Sequence, residues 1–343
     1  MKVLIYSPAF IPNVGGLEIN TANLAEQLAA HGLDVVIVTR TAGEGPDGVA
    51  YRVVRNPSPW AFLGWTRWCD VFVQQNVSLR GLWPLLLVHR PWVVTHHSWY
   101  CRTDGHVAWQ DRLKRRLLRH AAASIAVSQA LADDLDTPAV VIPNTYRDRL
   151  FRILPGVERS RDLVFLGRLV SDKGADLLIE ALGILAERKV RPSLTVIGDG
   201  PERSALAAQA RRLGVAAQVE LVGVREGEEL VRLLNEHRVL VVPSRYQEPF
   251  GIVALEGIAC GCLVVGSAGG GLKGAIGPCG LTFPNGDVAT LASALEQALA
   301  DPELTRALQR NAARHLAAHG SEATALAYVR QIERAAAAAG AGR

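Results

Sequence analysis

Short runs of apolar, mostly β-branched residues alternate with longer helical segments along almost the whole chain, and the alternation occurs in two series. The first series contains the runs KVLIYS, DVVIVT, YRVV, DVFVQ, WVVTH, SIAVS and AVVIP, and the second contains DLVFLG, SLTVIG, VELVG, VLVVPS and CLVVGS. Strands that are apolar along their entire length and are separated by helices are typical of parallel sheets with helices on both faces. The sequence therefore predicts an α/β protein with two doubly wound, Rossmann-like domains.

The chain length and one polar stretch suggest how these domains divide the sequence. The protein has 343 residues, enough for two domains of roughly 100–200 residues each. A polar segment around Pro155 and Gly156 precedes the first strand of the second series. We therefore predict a first domain over residues 1–155, a second domain over residues 156–320, and a C-terminal helix over residues 321–343 that packs back on the first domain.

Composition excludes several classes of protein. Hydrophobic residues make up 49% and charged residues 20% of the chain, which allows a large core and excludes general disorder. The formal charge of +4 does not by itself indicate nucleic-acid binding. Five cysteines without a CxxC pair are typical of a reducing compartment and not of a zinc site or a disulfide framework. The chain has no long apolar stretch and no signal-peptide pattern, so we predict a cytoplasmic protein.

Candidate binding residues follow the predicted strands, because ligands of open α/β sheets bind beyond the carboxyl ends of the strands. Gly15 and Gly16 follow the first strand and open a helix, where backbone amides attract anions, although a tight turn explains them equally well. His96 and His97 end the strand WVVTH. A histidine there could bind substrate or transfer a proton, although a structural role is commoner. Adjacent histidines on a strand point to opposite faces, which disfavours a metal site.

In the second series, two cations flank the start of a helix. Arg168 follows the strand DLVFLG, and Lys173 comes five residues later, just before the next helical segment. A guanidinium fork and an ammonium group at a helix N-terminus suit a diphosphate, whereas the alternative is a solvated loop that carries two cations. The position between strand and helix favours the diphosphate.

The stretch SRYQEPFGIVALEG, residues 244–257, places two carboxylates where a buried strand gives way to a helix. Glu248 precedes a proline and is therefore extended, whereas Glu256 lies within the helix. The amides of Phe250, Gly251, Ile252 and Val253 would open toward a ligand at the helix N-terminus. Carboxylates accept hydrogen bonds from vicinal hydroxyls such as those of a hexose or a ribose. The alternative for Glu256 is an interaction with the helix dipole.

Three further patterns indicate a ligand less strongly. GGGLKG, residues 269–274, matches a dinucleotide-binding pattern, but no strand that ends in an acidic residue follows at the required distance. Asp134 and Asp136 form a DxD pair that we interpret as the surface end of a helix. The basic segment 111–120 predicts an amphipathic surface helix, with contact to an anionic membrane surface as an alternative.

Taken in order, these motifs resemble those of the retaining glycosyltransferases of family 4, which have the GT-B fold of two Rossmann-like domains that face each other across a cleft. The resemblance covers nearly the whole chain. It rests on GGLE (15–18), VVTHH (93–97), PN (143–144), GRLVSDKG (167–174), IGDGP (197–201) and EPFGIVALE (248–256).

The resemblance implies a metal-independent enzyme without a cofactor, which transfers a hexosyl unit from a nucleotide-diphosphate sugar to a hydroxyl of a glycan, a lipid-linked or a small-molecule acceptor. Nucleic acid is not implied as a partner. The implied catalytic residues are His97, Arg168, Lys173 and Glu248. The implied substrate-binding residues are Gly15, Gly16, Val224, Arg225, Phe250, Gly251, Ile252, Val253 and Glu256. Trp99 and Tyr100 are expected on the acceptor side.

Two motifs depart from the family pattern, and other functions stay open. PNTYRD replaces the common PNGVD, and Lys273 and Gly274 stand where many members have Pro-Glu. The second change is expected to alter donor specificity or loop mobility. The alternatives are another GT-B nucleotide-sugar enzyme such as an epimerase, a protein that binds nucleotide sugars without catalysis, and an NAD enzyme that uses GGGLKG.

Overall fold

The computed structural model describes residues 1–13, 15–44, 48–101 and 107–341. The chain folds as two compact units, one formed by Met1–Thr145 with the chain from Ser321 onward, and the other by Tyr146–Gly320. The second unit therefore includes the polar stretch with Pro155 and Gly156, at which we expected the boundary. It does so because the amide of Leu154 donates to Asn235 Oδ1 at 2.8 Å, within that unit.

Among the described residues, the first unit has a seven-stranded parallel sheet in the order β3-β2-β1-β4-β5-β6-β7. Its strands are β1 (Lys2–Ser7), β2 (Asp34–Thr39), β3 (Arg52–Arg55), β4 (Val71–Gln75), β5 (Trp92–His96), β6 (Ala123–Ala126) and β7 (Val140–Val141). The helices that follow them in the chain are α1 (Gly16–Ala30), α2 (Pro59–Trp68), α3 (Leu79–Leu82), α4 (Trp109–Leu117) and α5 (Gln129–Asp133). Short 3₁₀ turns continue α3 over Trp83–Leu86 and α4 over Leu118–His120.

Helices cover both faces of this sheet because successive strand residues point to opposite sides. In β1, Val3 and Ile5 pack in a core that includes Leu24 and Leu28 of α1. Leu4 and Tyr6 point the other way, into a core that includes residues of α2 and of the 3₁₀ turn after α4. Burial on both faces explains why the strands read as continuous apolar runs.

Among the described residues, the second unit has a six-stranded parallel sheet in the order β10-β9-β8-β11-β12-β13. Its strands are β8 (Arg161–Leu166), β9 (Leu194–Ile197), β10 (Val219–Gly223), β11 (His237–Val242), β12 (Leu263–Ser267) and β13 (Gly280–Phe283). Its helices are α6 (Ala175–Glu187), α7 (Arg203–Arg212), α8 (Gly227–Glu236), α9 (Ile252–Ala259), α10 (Leu272–Ile276), α11 (Val288–Ala300), α12 (Pro302–Gln309) and α13 (Ala312–Ala317). The prediction of two doubly wound parallel sheets is confirmed.

The last helix, α14 (Ser321–Ala341), belongs to the first unit although it follows the second in sequence. Its residues Tyr328, Ile332 and Ala335 are buried in the same core as Leu24 and Leu28 of α1. Of the helices in the described part of the chain, none combines the length and the apolar content that crossing a bilayer requires.

Candidate active site

In the second unit, the candidate residues meet at the ends of two neighbouring strands. β8 and β11 lie side by side at the centre of the sheet, and the chain continues from them toward opposite edges, which makes their carboxyl ends a topological switch point. Arg168 and Lys173 follow β8, and Glu248 follows β11. The strand order thus brings together residues that are 75 positions apart in the chain.

Lys173 and Glu248 form a direct ion pair. The ammonium Nζ of Lys173 lies 2.5 Å from Oε1 of Glu248, and the Ser244 hydroxyl donates to the same oxygen at 2.8 Å. Both side chains are mainly buried, with 29% of Lys173 and 12% of Glu248 exposed. Both partners lie at the carboxyl ends of the strands and are partly exposed to solvent. The ammonium group can therefore exchange this contact for one with an anionic group of a ligand, and the carboxylate for one with a ligand hydroxyl.

Arg168 is exposed in the loop that follows β8. Among the described residues, no carboxylate lies within ion-pair distance of its guanidinium, so all of its donors remain available. The loop that carries Arg168 is hydrogen-bonded to the IGDGP motif, since the amide of Leu169 donates to the Asp199 carbonyl at 2.9 Å. Gly198, at φ +137°, allows this approach, since a Cβ there would collide with the carbonyl oxygen of Gly167.

The turn that carries Lys173 is held against the loop after β11 by contacts that the sequence did not indicate. Gly174 adopts φ +68° and packs so closely against the carbonyl oxygen of Pro243 that a Cβ would collide with it. The Arg245 guanidinium makes two hydrogen bonds to the Asp176 carboxylate, at 2.6 and 2.5 Å. Such a bidentate pair fixes the start of α6, and the turn before it, in position relative to the loop after β11.

Asn285 connects the same loop to the glycine-rich segment 269–274. Its Oδ1 accepts from the amide of Gly269 at 2.7 Å, and its Nδ2 donates to the Ser244 carbonyl at 3.0 Å. The amide of Gly271 donates to the carbonyl of Glu248 at 2.7 Å. The glycine-rich segment therefore positions the backbone of Glu248 in this structure.

The helix after Glu248 begins at Ile252, with Gly251 as its N-cap at φ +100°. The first amides of a helix have no acceptor within it, so those of Ile252 and Val253 can bind a ligand oxygen. The Phe250 side chain is 4% exposed and packs on the ring of His319, with the centroids 5.9 Å apart. Any ligand contact of Phe250 is therefore made by its backbone.

Glu256 has different partners from Glu248. Its side chain is 15% exposed, and its Oε1 lies 3.8 Å from Nη2 of Arg147. Burial raises the pKa of Glu256 to about 7, against the opposing effect of the Arg147 charge. Arg147 belongs to PNTYRD, the segment that departs from the family pattern, and sequence reasoning gave it no role.

Val224 and Arg225 lie in the loop that follows β10. The Val224 side chain is 57% exposed, which offers an apolar surface. Arg225 forms an ion pair with Glu229 of α8 at 2.8 Å and donates to the Val224 carbonyl at 2.9 Å. The two contacts hold the Arg225 guanidinium between the backbone of the loop after β10 and the first turn of α8.

In the first unit, His97 follows β5 and is fixed by the end of β4. Its amide donates to Asn76 Oδ1 at 2.7 Å, and its Nε2 lies 2.6 Å from Gln75 Oε1. Burial lowers the pKa of His97 to about 4, so the ring is neutral at pH 7. His96 points to the opposite face, where its Nδ1 lies 2.6 Å from the hydroxyl of Tyr100.

Gly15 and Gly16 lie at the start of α1, whereas Tyr100 is buried. Gly15 precedes α1 and Gly16 begins it, where the Gly16 carbonyl accepts from Nδ2 of Asn20 at 2.7 Å. Tyr100 does not line an open surface as expected, because it is 3% exposed and its hydroxyl accepts from the amide of Val77.

The DxD pair has a structural partner. Arg115 of α4 donates to the Asp134 carboxylate at 2.6 Å, and its Nη1 lies 3.9 Å from Asp136. Within the described ranges, no group of three or more His, Cys, Asp or Glu residues is arranged to hold a metal ion.

Comparisons with known proteins identify the family. The Glycosyltransferase Family 4 sequence profile matches residues 14–148, and the profile described as Glycosyl transferases group 1 matches residues 147–315. The chain belongs to the family 4, group 1 glycosyltransferases. It is therefore a transferase enzyme.

Curated relatives match along almost the full length. A glycogen synthase of Mycobacterium tuberculosis is 28% identical, over 92% of this chain and 90% of the relative. A D-inositol 3-phosphate glycosyltransferase of Frankia alni is 29% identical, over 94% of this chain and 95% of the relative. The names of these relatives imply different acceptors, so they leave the substrate open.

Solved structures agree on the fold. A sucrose-phosphate synthase from Thermosynechococcus elongatus aligns with a TM-score of 0.79 at 24% identity, over 98% of this chain and 99% of that one. HepE of Anabaena, solved in complex with UDP and glucose, aligns with a TM-score of 0.81 at 21% identity, over 97% of this chain and 99% of that one. The two sheets described above are thus those of the GT-B fold.

Proposed function

We propose that this glycosyltransferase moves a hexosyl unit from a nucleoside-diphosphate sugar to a hydroxyl acceptor, with retention of anomeric configuration and without a metal ion. The observation that carries the proposal is the meeting of Lys173 and Glu248 at the switch point, where the exposed Arg168 follows the same strand as Lys173 and has no carboxylate partner among the described residues. The HepE structures with UDP and with UDP-glucose support a donor of this class.

The proposed reaction needs negative charge to be stabilised on the leaving diphosphate. As the glycosidic bond breaks, the bonding electron pair goes to the diphosphate, and the sugar acquires oxocarbenium character. Arg168 and Lys173 would stabilise the developing charge, helped by the amides of Ile252 and Val253. Lys173 would transfer its contact from Glu248 to the diphosphate, and Glu248 would then accept hydrogen bonds from the sugar hydroxyls.

The other candidate residues have roles in holding the substrates. Glu256 would accept from the ribose hydroxyls, and the exposed Val224, with Arg225, would contact the base. His97 is neutral and is held by Gln75, so it would orient a hydroxyl through a hydrogen bond and would not supply a positive charge. The acceptor proton would pass to an oxygen of the leaving diphosphate on the same face of the sugar, which gives retention.

Incubation with UDP-glucose tests the proposal against its alternatives. We expect binding of the donor without added metal, slow hydrolysis in the absence of acceptor, and α-glucose as the first anomer detected by ¹H NMR. Conversion of the donor to an epimer would indicate the epimerase alternative. Binding of the donor with neither hydrolysis nor transfer to any acceptor tested would favour the non-catalytic protein, and NAD binding would favour the NAD enzyme that uses GGGLKG.

We further propose that α4 contacts an anionic membrane surface. Trp109 is 69% and Leu113 38% exposed, one turn apart on the outer side of the helix. Arg112 and Arg116 are exposed beside them, and among the described residues neither has an ion-pair partner. Exposed apolar side chains between cations are typical of helices that lie in the headgroup region of a bilayer.

Vesicle flotation measures this contact. We expect the protein to float with vesicles that contain phosphatidylglycerol, to bind less at high salt, and to lose at least about tenfold in affinity in the variant Arg112→Glu/Arg116→Glu. Arg211→Glu/Arg212→Glu, at the exposed end of α7, is the matched control and should bind as the wild type does. Equal flotation of both variants, or equal binding to neutral vesicles, would contradict the contact.

A further inference from the structure

Arg147 is held above an aromatic ring by one turn of backbone at the start of the second unit. The amides of Leu150 and Phe151 both donate to the Arg147 carbonyl at 2.9 Å, and this turn brings the side chains of residues 147 and 151 together. The guanidinium carbon lies 5.0 Å from the centroid of the Phe151 ring, which is buried. Since the face of an aromatic ring attracts a cation, the Arg147 side chain has a preferred position.

This position brings the guanidinium close to the carboxylate of Glu256 in α9. Nη2 of Arg147 is 3.8 Å from Oε1 of Glu256, which is too long for a hydrogen bond but within the range of an ion pair. Within the described ranges, Arg147 is the one cation at ion-pair distance from this carboxylate. The Arg147 side chain is 36% exposed and that of Glu256 is mainly buried, so water screens their attraction less than it would at an open surface.

The other titratable groups around α9 do not replace Arg147 as a partner of Glu256. Cys260 follows one turn later at the end of α9, and Tyr146 interacts with Cys260. Burial raises the pKa of both groups, so both are neutral at pH 7. β11, β12, α10 and α13 also pack against α9. The basic residues of these elements, and the histidine that follows α13, are His237, Arg238, Lys273, Arg314, His315 and His319.

The charge of Arg147 decides how much of Glu256 is ionised near neutral pH. A buried carboxylate without a cation beside it takes up a proton. Burial raises the pKa of Glu256 to about 7 even though the Arg147 charge opposes the rise. An ionised carboxylate accepts a hydrogen bond about twice as strongly as a neutral acceptor does. The common pattern PNGVD contains no cation, whereas PNTYRD of this chain supplies Arg147.

We propose that Arg147 is a positioning residue for the donor, which keeps Glu256 ionised so that its carboxylate accepts hydrogen bonds from the ribose. The proposal rests on the proposed function, which places Glu256 at the ribose. Because binding favours the ionised form, the affinity for the donor should rise as the pH rises through about 7. Without Arg147, the same rise should occur at higher pH. Arg147 acts through Glu256, so its removal should weaken donor binding and leave the rate at saturating donor nearly unchanged.

The variant Arg147→Met removes the charge and keeps an unbranched side chain that can pack on Phe151. Calorimetry with UDP-glucose from about pH 6 to about pH 8.5 measures the effect, since the diphosphate of this donor does not titrate in that range. We expect binding by the variant to be roughly three- to tenfold weaker at about pH 7, and to approach that of the wild type at about pH 8.5. kcat for hydrolysis of saturating UDP-glucose should change by less than about twofold.

Matched variants separate this role from a structural one. Arg147→Gln, a second neutral replacement, should reproduce the shift in pH dependence, whereas Arg147→Lys keeps the charge and should restore the wild-type profile. Arg149→Met removes an exposed arginine of the same segment and should leave the profile unchanged. In urea unfolding without ligand, Arg147→Met should extend the loss of stability to higher pH, and it should have no such effect in the Glu256→Gln background.

The outcomes distinguish failure of this proposal from failure of the proposed function. The same pH dependence of UDP-glucose binding in the wild type and in Arg147→Met, or an equal shift in Arg149→Met, would overturn the role of Arg147 alone. Absence of UDP-glucose binding by the wild type at every pH would overturn the proposed donor, and with it any role of Arg147 in binding this donor. The unfolding measurements need no ligand, so they would still show whether Arg147 and Glu256 are coupled.

Discussion

Replacing Lys173 with alanine is expected to lower kcat for sugar transfer by about 10²–10³, the range found when one group that stabilises developing negative charge is removed. Arg168→Ala should have an effect of the same order, because its guanidinium has no other ionic partner among the described residues. In both variants, the KM for the donor should change less than kcat, since the interaction strengthens as the diphosphate leaves. Initial rates with UDP-glucose and a saturating acceptor measure the effect.

The folded state must be checked in the same variants. Arg168 is exposed, so its removal should leave the melting temperature nearly unchanged, whereas Lys173→Ala leaves the mainly buried Glu248 without its cation and should lower it. Arg212→Ala removes an exposed arginine from the end of α7 and should have wild-type kcat. Turnover close to that of the wild type in both Arg168→Ala and Lys173→Ala would refute their assignment to the diphosphate.

Replacing Glu256 with glutamine is expected to change the pH dependence of stability. The pKa of Glu256 is raised from an ordinary value of 4.5 to about 7, so the folded protein favours the protonated form. The stability that this group contributes is complete below pH 4.5 and is lost as the pH rises through 7. At about 1.4 kcal/mol per pH unit, the loss amounts to about 3 kcal/mol in total.

Glu256→Gln keeps the neutral form at every pH. We therefore expect it to unfold with nearly the wild-type free energy at about pH 5, and to be more stable than the wild type by up to about 3 kcal/mol at about pH 8. Urea unfolding at several pH values measures this difference, with the exposed Glu187→Gln as the matched control. A difference that is independent of pH would show that the carboxyl titrates normally. The variant should also bind UDP more weakly at alkaline pH, because it lacks the carboxylate that accepts from the ribose.

The sequence predicted the two sheets because their strands are buried on both faces, and continuous apolar runs such as VLVVPS identify such strands directly. β13 was missed because GLTF is short, contains a glycine and a threonine, and lies at the edge of its sheet, where burial leaves a weaker pattern. β7, an edge strand of the Met1–Thr145 unit, is only two residues long. It lies within the run AVVIP, which the sequence did identify as a strand.

The candidate site was predicted residue by residue, but not as an arrangement. Lys173 and Glu248 were each chosen for their position after a strand, whereas their contact depends on β8 lying next to β11, which the order of the sequence does not reveal. Arg245 and Asp176 were missed because each is an ordinary charged residue until the fold pairs them. Asn285 could have been found, since PNG after a strand indicates a structured turn with an available carboxamide.

The place of α14 in the fold has a consequence for how the protein is made. A ribosome completes residues 146–320, a continuous unit, before it synthesises Tyr328 and Ile332, which the core of the first unit requires. During that interval, Leu24 and Leu28 of α1 therefore lack the side chains of α14 that share their core. The unit that begins first along the chain is thus the one whose full set of core residues is synthesised last, and apolar surface that is exposed until then is the kind that chaperones bind.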